Sequence, residues 1–148
     1  ADVLMIFDSW SHMIPNHFFH ELGIKPIAKI IEILRSKNVL QPIIGFPFKA
    51  GTSLIQYSYE SNVDCIALDW SVDLEWALKN LNSSIVFQGN LDPAALIPEN
   101  NKYLEESVLS ILNKMRNRKL IFNVGHGLTP NCKIHNVRDV INIVRNFK

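Results

Sequence analysis

Five polar stretches hold the side chains of this chain that could do chemistry: DSWSH (8–12), PFKAG (47–51), DW (69–70), QGNLDP (88–93) and GHGLTPN (125–131). His126 stands between Gly125 and Gly127 in a chain with only six glycines. Glycine tolerates tight turns and close backbone approach. The pair therefore either makes an ordinary turn around an incidental His or bends the chain to hold an imidazole at a ligand. Ser9 carries a hydroxyl that can hydrogen-bond a carboxylate or act as a nucleophile, but no G-x-S-x-G elbow surrounds it. Strand alternation places Phe7 and Ser9 on one side and Asp8 on the other. In QGNLDP, Gln88, Asn90 and Asp92 either form a strand-to-helix turn capped by Asp92 or turn their amides toward a ligand, with Gly89 allowing a positive φ. Asp69 could serve as a general acid or base, but holding loop amides is the favoured role. Trp70 reads as packing at the same face, with Ser71 as cap of the helix that follows.

Other chemistries find little support. His12, His17, His20 and His135 show no H-E-x-x-H or H-x-H spacing, and Cys65 and Cys132 form no C-x-x-C, so no metal site is expected. Two free thiols in a reducing compartment are the expectation. The formal charge of +1 and the absence of a basic stripe argue against nucleic acid. No apolar run approaches the roughly 20 residues of a membrane span, and the first residues lack signal-peptide character, so a cytoplasmic protein is expected. Arg35, Arg116, Arg118, Arg138 and Arg145 fall on or beside helical segments. Lys49 is then the one cation at a strand's carboxyl end, and an anionic ligand there would need further cations from elsewhere.

The elements that must position these stretches alternate. Short apolar runs stand at 3–7 (VLMIF), 42–46 (PIIGF), 65–68 (CIAL), 85–87 (IVF) and 120–124 (LIFNV), as for strands buried on both faces of a parallel sheet. Between them, Ile27, Ile30, Ile31 and Leu34 make a helical stripe, as do Leu74, Ala77, Leu78 and Leu81. A further helix is predicted over 101–116 on Leu104, Val108, Ile111, Leu112 and Met115. The last opens at Asn136, with Asp139 completing a capping-box variant and Val137, Val140, Ile141 and Val144 facing inward. Five strand-helix alternations imply an α/β fold, a single domain over 1–148, with the chemistry at the strands' carboxyl ends. A (β/α)₈ barrel takes about 250 residues and eight strands, and this sequence opens inside a strand. Five units cannot close a barrel, and an open flavodoxin-like sheet would fit the length.

Taken in order, the stretches FDSW (7–10), PIIGFPFKAG (42–51), ALDWSVDL (67–74), QGNLDP (88–93) and GHGLTPN (125–131) resemble the uroporphyrinogen decarboxylase family over residues 3 to 147. QGNLDP followed by GHG is the specific combination. The resemblance implies the C-terminal five units of a (β/α)₈ barrel, incomplete as given, in a cytoplasmic homodimer. It implies a carboxy-lyase that converts the four acetates of uroporphyrinogen III to methyls, giving coproporphyrinogen III, with no metal or organic cofactor. By motif, Ser9 falls on the hydroxyl that contacts substrate, Phe7 on an aromatic lining the cleft, and His126 on the histidine that contacts a substrate carboxylate. The family's key aspartate, arginines and cleft tyrosine belong to its N-terminal half. No catalytic residue is therefore expected in this portion, and the chain is expected to be inactive alone.

The chain departs from the family pattern at SH (11–12) for AG, at ALDW for GLDW, and at NCKIH (131–135) for an acidic Thr-Pro-rich segment. These changes bear on loop packing. Two alternatives follow: a non-catalytic truncated copy, or the barrel methyltransferases that act on corrinoid-bound methyl groups through zinc. The latter look for His-x-Cys where this chain reads PFKAG.

Overall fold

A computed structural model describes residues 1–99 and 102–148. Its sheet has five parallel strands in the order β1 (Leu4–Asp8), β2 (Ile43–Pro47), β3 (Cys65–Ala67), β4 (Val86–Leu91) and β5 (Leu120–Val124). Each strand pairs with the next in sequence. That order decides between the two topologies left open above. A flavodoxin-like sheet reverses direction at its first strands and carries helices on both faces. Unreversed order with right-handed crossovers puts every helix on one face, as in a barrel wall. The sheet is accordingly five consecutive β/α units of a partial barrel.

The two faces of the sheet bear this out. On the helix side a continuous core joins Ile43, Ile66, Phe87 and Leu91 to Leu54, Ala77, Leu104 and Val108. On the other side the buried apolar residues among those described are only Ile44, Phe46, Cys65 and Ala67, with Met5, Phe48 and Val86 packed against them, and no helix contributes.

A helical run covers Asn16–Ser36: α1 (Asn16–Phe19), a π turn (His20–Ile24) and α2 (Lys25–Ser36). It is followed by α3 (Leu54–Glu60), α4 (Leu74–Asn80), α5 (Lys102–Lys114) and α6 (Ile134–Asn146). The start expected for α5 at residue 101 lies outside the described residues. Three expectations need correction. β4 runs to Leu91, so Gln88, Gly89 and Asn90 belong to the strand rather than to the turn. The cap of α4 is Asp73, whose carboxylate accepts from Trp76 N at 2.7 Å, while Ser71 turns back to Asp69. Helix α6 begins at Ile134, and Asn136 makes no capping box: its side chain is buried and donates to the carbonyls of Leu96 and Pro98, tying α6 to the preceding loop.

Candidate active site

At the carboxyl ends of the strands, backbone and short side chains lash the five loops together. Asp69 is buried, and its carboxylate accepts from Lys49 N at 3.0 Å, from Ser71 N at 2.9 Å and from the Ser71 hydroxyl. Its carboxylate is thus occupied with loop amides, the structural role favoured from sequence. Asn90 donates to the carbonyls of Asp69 (3.0 Å) and Val72 (2.8 Å). Asp92 accepts from Ala94 N and caps the 3₁₀ turn that follows β4. Ser11, one of the departures from the family pattern, is buried, and its hydroxyl donates to the Phe48 carbonyl at 2.7 Å, with the Asp8 carbonyl at 3.1 Å. The first loop is thereby fastened to the second.

The glycines of GHG do different jobs. A Cβ on Gly125 would lie 2.3 Å from Trp70 N, so only glycine lets the β5 loop lie against the β3 loop; Gly125 N donates to the Leu91 carbonyl at 2.7 Å. A Cβ on Gly127 would meet nothing within 4 Å. One glycine is needed for close approach, and the other is not. Gly89 has φ of 130°, as expected, and its missing Cβ clears the Leu68 carbonyl.

His126 consequently lies against an aromatic wall. Its ring centroid is 4.9 Å from Phe48, 5.6 Å from Trp70 and 6.4 Å from Phe46. Phe46 in turn meets Phe7 edge-on at 6.1 Å. A cleft of about 220 Å³ on the inner face is lined by Phe7, Phe46, Gln88, Asn123 and His126, with Met5 at its base. Phe7 and His126, taken from opposite ends of the sequence, therefore share one cleft. Ser9 is exposed on the turn two residues beyond Phe7 and is not among the residues that line the cleft. Lys49 sits over the same wall, its Nζ 5.1 Å from the Trp70 centroid and 5.4 Å from Phe48. The chain belongs to the uroporphyrinogen decarboxylase family. The family model, uroporphyrinogen decarboxylase (URO-D), matches residues 1–147.

Relatives in the family include the uroporphyrinogen decarboxylase of Orientia tsutsugamushi (strain Boryong), 40% identical over 147 residues, which are 99% of this chain and 43% of that protein. The uroporphyrinogen decarboxylase of Brucella abortus (strain 2308) is 40% identical over 148 residues, covering 100% of this chain and 43% of the relative. The chain thus spans less than half the length of these family members.

Metal-binding groups of three or more His, Cys, Asp or Glu are absent among the described residues. Cys132 faces Thr129 and the Pro93 carbonyl, not the cleft. Cys65 is buried among the inner-face strands, and burial, with Asp64 nearby, pushes its thiol up to about 12. It is a packing residue, not a nucleophile. Burial also raises the Asp8 carboxyl, partly offset by a hydrogen bond from the Trp10 backbone and by His12. No helix among the described residues is long and apolar enough to cross a membrane.

The sequence reading missed Phe48, which touches His126, Trp70, Phe46 and His12 at once. The available signal was the alternation in FPF (46–48), which turns both aromatics to one side at a strand end.

Proposed function

We propose that this chain forms the C-terminal wall of a uroporphyrinogen decarboxylase, a carboxy-lyase of porphyrin biosynthesis that acts on uroporphyrinogen III in the cytosol as a homodimer. The observation that carries the reading is the shared cleft of Phe7 and His126 on the helix-free face, where the family's two motifs meet. In the reaction a pyrrole ring of the substrate is protonated, and the bond from the acetate methylene to its carboxylate breaks. The electron pair enters the ring, CO₂ leaves, the methylene takes a proton to become methyl, and the ring releases the proton it first took up. Nothing in that sequence requires a nucleophile, which agrees with a cleft of aromatics, amides and one imidazole. The protein's part is to place charge and hydrogen bonds where they favour the protonated ring.

Within this wall, a ring N–H of His126 donates to a substrate carboxylate, Phe7 and Phe46 pack against the macrocycle, and Ser9 offers its hydroxyl from the turn beyond Phe7. The aspartate and arginines of the family belong to the part of its length that this chain does not span. The chain alone is therefore inactive. The test is to assay the purified chain on uroporphyrinogen III, alone and after fusion to the N-terminal units of a family relative. No coproporphyrinogen from the chain and measurable coproporphyrinogen from the completed barrel are expected. Turnover by the chain alone would refute the dependence, and a folded but inactive completed barrel would refute the assignment.

A further inference from the structure

Three non-glycine residues among those described have a backbone in the left-handed region: Asn38 (φ 59°), Asn62 (φ 62°) and Lys49 (φ 53°). Asparagine accepts that conformation because its short polar side chain can hydrogen-bond locally, and lysine has no such compensation. Glycine would adopt it without strain. The fold therefore accepts a cost at residue 49 in order to present a side chain, and strain of this kind gathers at functional sites. The turn itself does not need that side chain. It is held through the backbone, where Lys49 N donates to the Asp69 carboxylate at 3.0 Å, a bond that any residue with an N–H would make.

The Lys49 side chain is exposed and makes no ion pair among the described residues. Its ammonium rests instead over Trp70 and Phe48, 5.1 Å and 5.4 Å from their centroids. These are the two rings against which His126 lies, at 5.6 Å and 4.9 Å. Lys49 lines a second hollow, of about 460 Å³, between the loops that follow β2 and β3. The one carboxylate lining that hollow, Asp73, is already engaged at Trp76 N.

We propose that Lys49 is a substrate-binding residue whose ammonium takes one peripheral carboxylate of the tetrapyrrole while His126 takes another; this rests on the function proposed above. The cleft of about 220 Å³ holds only part of a macrocycle, so groups on the rim extend over the surrounding wall. Two rings cover one side of the ammonium and leave N–H donors free on the other. A carboxylate arriving there meets a positioned, partly desolvated cation, where a charge pair is stronger than in open water. The family's arginines are expected from the part of its length that this chain does not span. Lys49 is the cation that this wall itself places beside His126.

The test uses the completed barrel with Lys49→Met, which keeps the stem and its ring contacts, Lys49→Arg, which keeps the charge, and Lys49→Gly, which relieves the backbone. KM and kcat for uroporphyrinogen, their salt dependence, inhibition by coproporphyrinogen and melting temperature are measured on the same preparations. Lys49→Met and Lys49→Gly should raise KM about tenfold, with a smaller effect on kcat and a shallower rise of KM with salt. Lys49→Arg should recover most of the loss, and Lys49→Gly should melt higher than the unsubstituted barrel. Weaker inhibition by coproporphyrinogen as well would assign the contact to a carboxylate that survives the reaction; an effect on uroporphyrinogen alone would assign it to an acetate. An unchanged KM in Lys49→Met, or a rise that Lys49→Arg shares or that only follows a fall in melting temperature, would overturn the proposal and leave the decarboxylase reading intact. An inactive unsubstituted barrel would instead remove the reading on which it rests.

Discussion

Helices α5 and α6 carry nearly the same apolar spacing, yet Leu104 and Val108 of α5 are fully buried while Ile141 of α6 is 42% exposed and Val137, Val140 and Val144 are only half-buried. The difference is position. Helix α5 packs against both β4 and α6, whereas α6 lies at the end of the sheet with a neighbour on one side only. Between it and β5 runs a groove of about 410 Å³ lined by Phe122, Val124, Leu128, Val140, Ile141 and Val144. The other end matches: Ile27 and Ile31 of α2 are buried, and Ile30 of the same stripe is exposed. The stripes are written for a wall with neighbours at both ends. The faces of the sheet differ in the same way, with Phe87 fully buried beneath the helices and Phe7 65% exposed on the inner side.

This contrast can be broken by paired substitutions. Phe87→Ala should cost about 3–5 kcal/mol in chemical unfolding, whereas Phe7→Ala in the same chain should cost less than about 1 kcal/mol. Equal costs would mean that the inner face is as well packed as the outer. Leu104→Ala should cost about 2–5 kcal/mol, and Ile141→Ala clearly less until the barrel is completed, when its cost should rise. Gly125→Ala should destabilise by about 1–3 kcal/mol through overpacking, because its Cβ meets Trp70 backbone, and Gly127→Ala should stay within about 0.5 kcal/mol. Asp73→Ala should cost about 1 kcal/mol as a lost N-cap.

The smallest effect concerns pH. The Asp8 carboxyl is raised in the fold, so the folded state holds its proton longer than the unfolded chain does. Its contribution to stability is fully present below the ordinary carboxylate pKa, about 3.9, and is lost as pH rises through the folded value. Asp8→Asn should remove that decline in a series of urea midpoints from acid to neutral pH. A variant with the wild-type slope would show that Asp8 is not the group involved.

Much of the wall was legible in the sequence because parallel strands buried on both faces are continuous apolar runs; β5 was placed at its observed bounds. The reading shortened β4 because Gln88 and Asn90 interrupt the apolar run; Gln88 lines the inner-face cleft, and the Asn90 amide is held by the carbonyls of Asp69 and Val72. Local capping misled twice, at Ser71 and Asn136: the Ser71 hydroxyl turns back to Asp69, two residues earlier, and Asn136 is claimed by the Leu96 and Pro98 carbonyls, which sequence proximity does not reveal. The π turn inside the long helical run Asn16–Ser36 had no readable signal. Motif resemblance picked out Phe7 and His126, which the fold brings to one cleft. The hub made by Phe48 and the clasp made by Ser11 arise from contacts between loops far apart in sequence; alternation in FPF gives the side Phe48 faces but not the rings it meets, and nothing local marks Ser11.

The most direct test of the cleft is His126→Ala in the completed barrel, with kcat/KM for uroporphyrinogen and the melting temperature measured on the same preparations. A loss of about tenfold or more in kcat/KM at an unchanged melting temperature is predicted, because the ring leans on an aromatic wall from an exposed loop and its removal should leave the backbone turn in place. Unaltered kinetics, or a loss of activity that only follows a loss of folding, would contradict it and return His126 to an ordinary turn.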